Sequence, residues 1–320
     1  MRLARRALLA ATVATPAVAQ ATRTIRLIVP FAPGGGSDIL ARLVAPSLGA
    51  ALDGATVVVE NRAGAGSQIG AEAVMRSPPD GSTLLLGDTP LVTIPALQAA
   101  AGRPVPFRAA VDFTPIAALV AAPTLIMVAA NAPWRDTREM LAAARARPES
   151  INFASGGVAT STHLIIELLQ LRSGVRVTHV PYRGTGAAIQ DLLSGQVQAM
   201  IQAMATAAPL VAAGQMRVIG VAADHRLAAL PDVPTLREQG IDLVSAFWWG
   251  VLGPPDMPAP LVETLNAALR TAMASEAVAS RLPALGLERL DLGPTPFRDM
   301  LAAETARWRD VVQTAGIKPE

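Results

Sequence analysis

The sequence predicts an α/β protein built as two units joined at a hinge. Three observations predict it. Apolar runs of strand length alternate with stretches whose apolar residues recur at helical spacing. That alternation runs once over 24–87 and again over 124–223. Two apolar stretches, near 116–128 and somewhere in 223–250, read as crossings between the two runs. Alternation of this kind implies mostly parallel sheets with right-handed crossovers.

Taken in order, TIRLIVP (24–30) reads as a buried strand. Ser37 is placed to cap a helix whose apolar face is Ile39, Leu40, Leu43, Val44 and Leu48. ATVVVE (55–60) is a second strand, SQIGAEAVMRS (67–77) a helix, and Pro78-Pro79-Asp80-Gly81 its stop signal. TLLLG (83–87) is the third strand. In the second run, TLIMVAA (124–130) is a strand, and Asp136 or Thr137 caps a helix that continues through Arg147. INFAS (151–155), a helix over 160–173, VRVTHVP (175–181) and a helix over 185–193 follow. VQAMIQ (197–202) and MRVIGVAA (216–223) are strands around a short helix. The last part carries a Trp-rich strand, SAFWWGVLGP (245–254), and helices near 258–274 and 295–315 that are expected to pack back on the first unit. Trp248 and Trp249 are neighbours on that strand, so they point to opposite faces and at most one lines a cleft. The domain boundaries that follow are 20–122 with 245–320 for one lobe and 123–244 for the other.

Composition narrows the function. A chain of 320 residues that is 51% hydrophobic and 16% charged is globular and long enough for two cores. Residues 1–19 read as a signal peptide: Arg2, Arg5 and Arg6, a short apolar stretch from Ala7 to Ala14, and Ala17-Val18-Ala19 as a cleavage site. That stretch falls short of the roughly 20 residues a membrane span needs. The expected product is exported and periplasmic, by a general or a twin-arginine route. Cleavage removes three arginines and no acid, so 27 Lys+Arg become 24 against 25 Asp+Glu. With that balance and no basic stripe, nucleic acid is not an expected partner. The absence of cysteine excludes disulfides, thiolate chemistry and cysteine metal sites. No paired histidines stand at metal-ligand spacing, so no metal site is expected. His179 reads as a packing residue within a strand and His225 as solvated. His163, at the start of a helix, either faces a ligand or caps and packs.

The candidate chemistry lies in loops at strand carboxyl ends, where open α/β sheets bind ligands. Gly34, Gly35 and Gly36 stand between a strand and a helix start, where unpaired N–H groups and the helix dipole favour an anion. Ser37 adds a hydroxyl and Asp38 sits in the first turn. A β-branched residue at Gly35 is expected to enter ligand space or to meet a positive φ. No Gly-Lys-Ser/Thr follows, so a P-loop is excluded. A flexible turn is the plain alternative. ASGGVATSTH (154–163) and PYRGTG (181–186) repeat the pattern in the second unit. Two rims of neutral donors facing each other suit a small carboxylate. The rival is a dinucleotide site at Gly64, Gly66 and Gly70, with Asp88 as the ribose acid. Its spacing, G-x-G-x-x-x-G at the second strand, departs from the dinucleotide pattern, and an exported protein lacks ready access to nicotinamide cofactor. G-x-S-x-G is absent, which argues against a hydrolase.

Over essentially the whole mature chain, in order, the sequence resembles the Bug family, the extracytoplasmic solute-binding receptors of tripartite tricarboxylate transporters. VPFAPGGGSDILARLVAPSL, VVVENRAGAGSQIGAEAV, PDGSTLLLG, NFASGGVATSTHL, HVPYRGTGAAIQDLLSGQVQAM, LPDVPTLREQG and WWGVLGP carry the resemblance. It implies a two-lobed, Venus-flytrap fold of the type II periplasmic-binding class. It also implies a monomer that passes a small carboxylate to transporter membrane subunits, with no cofactor and no catalytic residue; a sensory receptor shares the fold. The first-lobe grip then falls on Phe31, Pro33, Gly34 to Asp38, and Asp88 and Thr89. The second-lobe grip falls on Ser155, Gly156, Thr160, Ser161, Thr162, His163, Pro181, Tyr182, Arg183 and Gly184. The chain departs from the family in reading GDTPLVTIPAL where GTSGTHAINPAL is frequent, and MIQA where MFDN is frequent. Gln202 thus stands where an acid suits a ligand amino group, which favours a plain carboxylate.

Overall fold

The computed structural model describes residues 23–317 apart from Ala159, Arg183 and Gly184, so the expected signal peptide lies outside the described residues. The first part of the chain contributes β1 (Thr24–Val29), α1 (Gly36–Ala51), β2 (Thr56–Asn61), α2 (Gln68–Met75), β3 (Thr83–Asp88), α3 (Pro90–Ala100) and β4 (Thr114–Pro123). The middle contributes β5 (Leu125–Ala129), α4 (Thr137–Ala146), β6 (Asn152–Ser155), α5 (Ser161–Ser173), β7 (Thr178–Pro181), α6 (Thr185–Ser194), β8 (Ala199–Gln202), α7 (Met204–Ala212) and β9 (Met216–Val221). The end contributes β10 (Ala246–Gly253), α8 (Ala259–Ala274), α9 (Glu276–Ala279), β11 (Glu288–Leu292) and α10 (Pro294–Ala315).

These strands form two sheets, ordered β11-β4-β10-β3-β1-β2 and β7-β6-β8-β5-β9. The expected parallel pairing holds for β1 with β2 and β3, and for β6 with β7 and β8. Both sheets are nevertheless mixed. β10 runs antiparallel between β3 and β4, and β5 runs antiparallel to β8 and β9. The cause is the pair of crossings: β4 passes through Thr124 into β5, and Ser245 leads into β10. Each therefore enters its sheet from the other one. Both Thr124 N–H and its hydroxyl donate to Ser245 C=O, at 3.0 and 3.2 Å, and Ala222 N–H donates to Thr124 C=O at 2.9 Å. The two crossings are thus fastened together at one point.

Each sheet is buried on both faces. Leu84 and Leu86 enter one core with Ile25, Leu27 and α1, while Leu85 enters the other with Ile28, as the period of two requires. α8 packs on α1 and β4, as expected, whereas α10 packs on α3 and β4 and also reaches α5 of the second unit. Trp248 is buried edge-on to Phe297, with ring centroids 5.7 Å apart, and Trp249 faces the other way.

The sequence reading misses α3 and β11 and ends β3 one residue early. α3 is apolar all round and holds Pro95, so it shows no helical stripe. β11 is short and half polar, and β3 runs one residue further than TLLLG, which places Asp88 on a strand rather than in a loop. Ser37 does not cap α1; the N-cap is Gly35, with no side-chain bond. Ile39 is exposed rather than part of the apolar face. It leaves the core because it borders the cleft described next.

Candidate functional site

A cleft opens between the carboxyl ends of the two sheets. It has two hollows of about 680 and 360 Å³ that share Pro90, Gln202 and Phe247. Four helices begin at its walls. Gly36 opens α1, Pro90 opens α3, Ser161 and Thr162 open α5, and Ala205 and Thr206 lie in the first turn of α7. No side chain caps α1, α3 or α7; Thr160 caps α5 by accepting His163 N–H. Free N–H groups at helix starts attract anions. No arginine or lysine of the described residues lines either hollow.

The glycine loop earns its composition at particular positions. Gly34 has φ 86°, a conformation that side chains disfavour. Gly35 does not: its φ is −79°, and a Cβ there would find its nearest neighbour 3.8 Å away. The expected positive φ therefore belongs to Gly34. A Cβ on Gly36 would meet the Trp249 ring at 3.5 Å. Asp38 points into the protein rather than the cleft. It accepts Gly34 N–H and Asn61 Nδ2 at 2.9 Å each, and Arg42 Nε at 3.0 Å. Arg42, with Gly34 and Asn61, holds its carboxyl down at about 2. Asp38 thus ties the glycine loop to β2. A depressed folded pKa stabilises above the unfolded value near 4 and is lost as pH falls toward 2. Asp38→Ala, leaving Gly34 N–H and Asn61 without their acceptor, is expected to cost about 1–3 kcal/mol near neutral pH. In urea titrations the gap to the parent chain should narrow between about pH 4 and 2; a gap constant with pH would refute the tie.

Ser37 is buried behind the loop. Trp249 Nε1–H donates to its oxygen at 2.8 Å, and its hydroxyl donates to Asp88 Oδ2 at 3.2 Å. Asp88 lines the smaller hollow, and burial pushes its carboxyl up to about 8 against the lowering bond from Ser37. Thr89 also lines that hollow and accepts Trp248 N–H. On the second unit, Gly156, Thr160, Ser161 and Thr162 line the larger hollow, as does Phe31 from the first. Ser155 is buried and spent internally: its oxygen lies 2.6 Å from His179 Nε2, and its hydroxyl donates to Gly157 C=O. His163 is buried with its ring stacked on His179, centroids 3.8 Å apart. Burial, then His163, pushes His179 down to about 4. His225 is exposed beside Glu288, as expected of a solvated turn. Pro33 and Pro181 are exposed, and neither borders the hollows. Tyr182 donates to Asp191 at 2.6 Å, and burial and that bond push its hydroxyl up to about 12. Arg183 and Gly184 lie outside the described residues.

The sequence reading misses Thr93, Ile94, Phe247, Ala205 and Thr206, all on the cleft walls, and places Gly66, which also lines the larger hollow, only in the rival dinucleotide loop. Thr93 and Ile94 ride on the unrecognised α3; Thr89-Pro90 was the available signal, since proline favours the first helical position. The rival glycine loop has its own explanation. A Cβ on Gly70 would crowd Pro30 and the Arg62 carbonyl oxygen at 2.9 Å, so that glycine serves helix-to-strand contact.

Comparison with known proteins agrees with this architecture. The model of the tripartite tricarboxylate transporter family receptor matches residues 40–317. MatC from Rhodopseudomonas palustris, solved with bound malate, is 34% identical, with 91% of this chain and 99% of that one covered and a TM-score of 0.76. Rpa4515 of R. palustris, solved with adipate, is 31% identical, with coverages of 94% and 100% and a TM-score of 0.80. The periplasmic binding protein BugD is 30% identical, with coverages of 93% and 99% and a TM-score of 0.78.

Proposed function

The chain belongs to the tripartite tricarboxylate transporter receptor family, and from that premise we propose that it captures a small carboxylate in the periplasm, as a monomer, and delivers it to the membrane subunits of such a transporter. The observation that carries this reading is the convergence of four helix N-termini on one cleft with no basic side chain among its described lining residues. Backbone N–H groups and hydroxyls bind an anion there without an arginine clamp. The relatives solved with malate and adipate support the ligand class. The cleft's role is to bind and release; no catalytic step is assigned to it.

The lobes are proposed to be 20–122 with 245–320, and 123–244. Closure is proposed to bend the crossings near 119–125 and 240–247, around the bonds between Thr124 and Ser245. Melting of the purified protein with malate, adipate, succinate and citrate tests the reading. A ligand at about a hundred times its Kd adds about 2.7 kcal/mol, a shift of several degrees. The same ligand should shrink the radius of gyration in small-angle scattering. No shift with any carboxylate would sink the proposal, and a shift at constant radius would remove the hinge.

A further inference from the structure

Asp88 is the only acid of the described residues that lines the cleft. It is 7% exposed, and its Oδ1 is buried with no hydrogen-bond partner among the described residues. A buried carboxyl oxygen left alone is costly unless something meets it. Its other oxygen is accounted for. Trp249 Nε1–H occupies the Ser37 oxygen, so the Ser37 hydroxyl hydrogen turns to Asp88 Oδ2. Oδ2 is thereby fixed as the acceptor, and a proton on this carboxyl resides on Oδ1.

Among the described residues, no charged side chain near Asp88 favours its ionised form. β10 places Trp249 opposite it, α1 offers Ser37, α3 begins with Pro90, and the second unit offers Gln202, Ala205 and Thr206. The charged groups of α1, Asp38 and Arg42, are paired with each other. Arg26 of β1 sits at the far end of the sheet, on Thr83 and Glu60. Burial outweighs the lowering bond from Ser37.

Resting on the carboxylate-receptor reading, we propose that Asp88 determines ligand choice by donating a hydrogen bond from Oδ1, as a neutral acid, to one oxygen of the ligand's carboxylate. The bond is a short acid–carboxylate contact of the charge-assisted kind. It selects plain carboxylates over α-amino acids at this end of the cleft, because a neutral acid offers an ammonium group no counter-charge. It also couples binding to protonation. Above the carboxyl's own titration, capture of a carboxylate draws one proton from solvent onto Oδ1, since two facing carboxylates repel.

Calorimetry with succinate, malate, adipate and aspartate tests this. For whichever plain carboxylate binds, the Kd is expected to be flat up to about pH 7 and roughly tenfold weaker at about pH 9. Titrations in buffers of different ionisation enthalpy should show uptake of close to one proton per ligand at about pH 9 and none at about pH 6.5. His179 titrates too low to interfere in this window. Asp88→Asn should flatten the profile and abolish proton uptake; the wild-type proton count stands on its own if that variant folds poorly. A carboxylate that binds with a pH-independent Kd and no proton uptake overturns the Asp88 proposal and leaves the receptor intact. Aspartate binding tighter than succinate, and more so at high pH, overturns it as well, making Asp88 an ionised partner for ammonium. If no carboxylate binds at any pH, both readings fall.

Discussion

Asp88→Asn is expected to make the ligand-free protein melt higher than the parent chain at about pH 7.5, with the gap closing by about pH 4. The argument is linkage alone. In the unfolded chain this carboxyl ionises near 4; in the folded chain burial holds it to about 8. A carboxyl with a raised folded pKa costs nothing below the unfolded value. The folded state then loses stability as pH rises from about 4 to 8, by up to about 1.4 kcal/mol per unit. At neutral pH the penalty is about 2–4 kcal/mol, the lower end allowing for water reaching the cleft wall. Asparagine has nearly the same shape and does not titrate, so it removes the pH-dependent part. Circular-dichroism melts of both chains across that range give the difference curve. A gap that stays constant, or widens toward acid, would show that Asp88 is ionised in the folded protein. A carboxyl kept at such cost to the fold is the mark of a residue selected for its ligand.

The alternation of apolar strand runs and helix stripes made most elements legible, because each strand is bounded by turn residues and each helix face by its 3.6 spacing. Leu84, Leu85 and Leu86 read as a buried strand from composition alone. The mixed direction of the sheets was not legible, since β4 and β10 look like any apolar run until their partners are known. α3 was hidden because burial on all sides erases the stripe that identifies a helix. At the site, Gly34 to Gly36, Asp88 and Thr160 to Thr162 were legible as strand-end loops rich in glycine and hydroxyls, and Gln202 only through the resemblance to the family. The inward roles of Asp38, Ser155 and His163 were not. A polar residue beside a glycine loop reads the same whether it faces a ligand or fastens the loop, and Asn61 and His179, remote in sequence, decide between the two.

Placing a negative charge in the cleft is expected to abolish carboxylate binding without harming the fold, and Ala205 is the position for it. Ala205 is exposed, lines the smaller hollow and occupies the first turn of α7, whose N-terminus has no side-chain cap. Aspartate is favoured in a first helical turn, so Ala205→Asp should fold at least as well as the parent. A ligand carboxylate held about 5 Å away then meets a like charge. At an effective dielectric near 20 that costs about 3 kcal/mol, or more than 100-fold in Kd. Ala205→Asn has the same bulk without the charge, so the ratio of the two variants isolates electrostatics from crowding, and it should exceed about 30-fold. Ala205→Lys should tighten binding, with an effect that fades as salt rises. Calorimetry on the series with one carboxylate ranks the four chains Lys, parent, Asn, Asp in order of falling affinity. Asp and Asn variants of equal affinity would mean that the ligand's charge does not face α7, and the convergence of helix N-termini would lose its meaning as an anion site. Tighter binding by the Asp variant would mean that the group held there is cationic, which would transfer the cleft from carboxylates to amines.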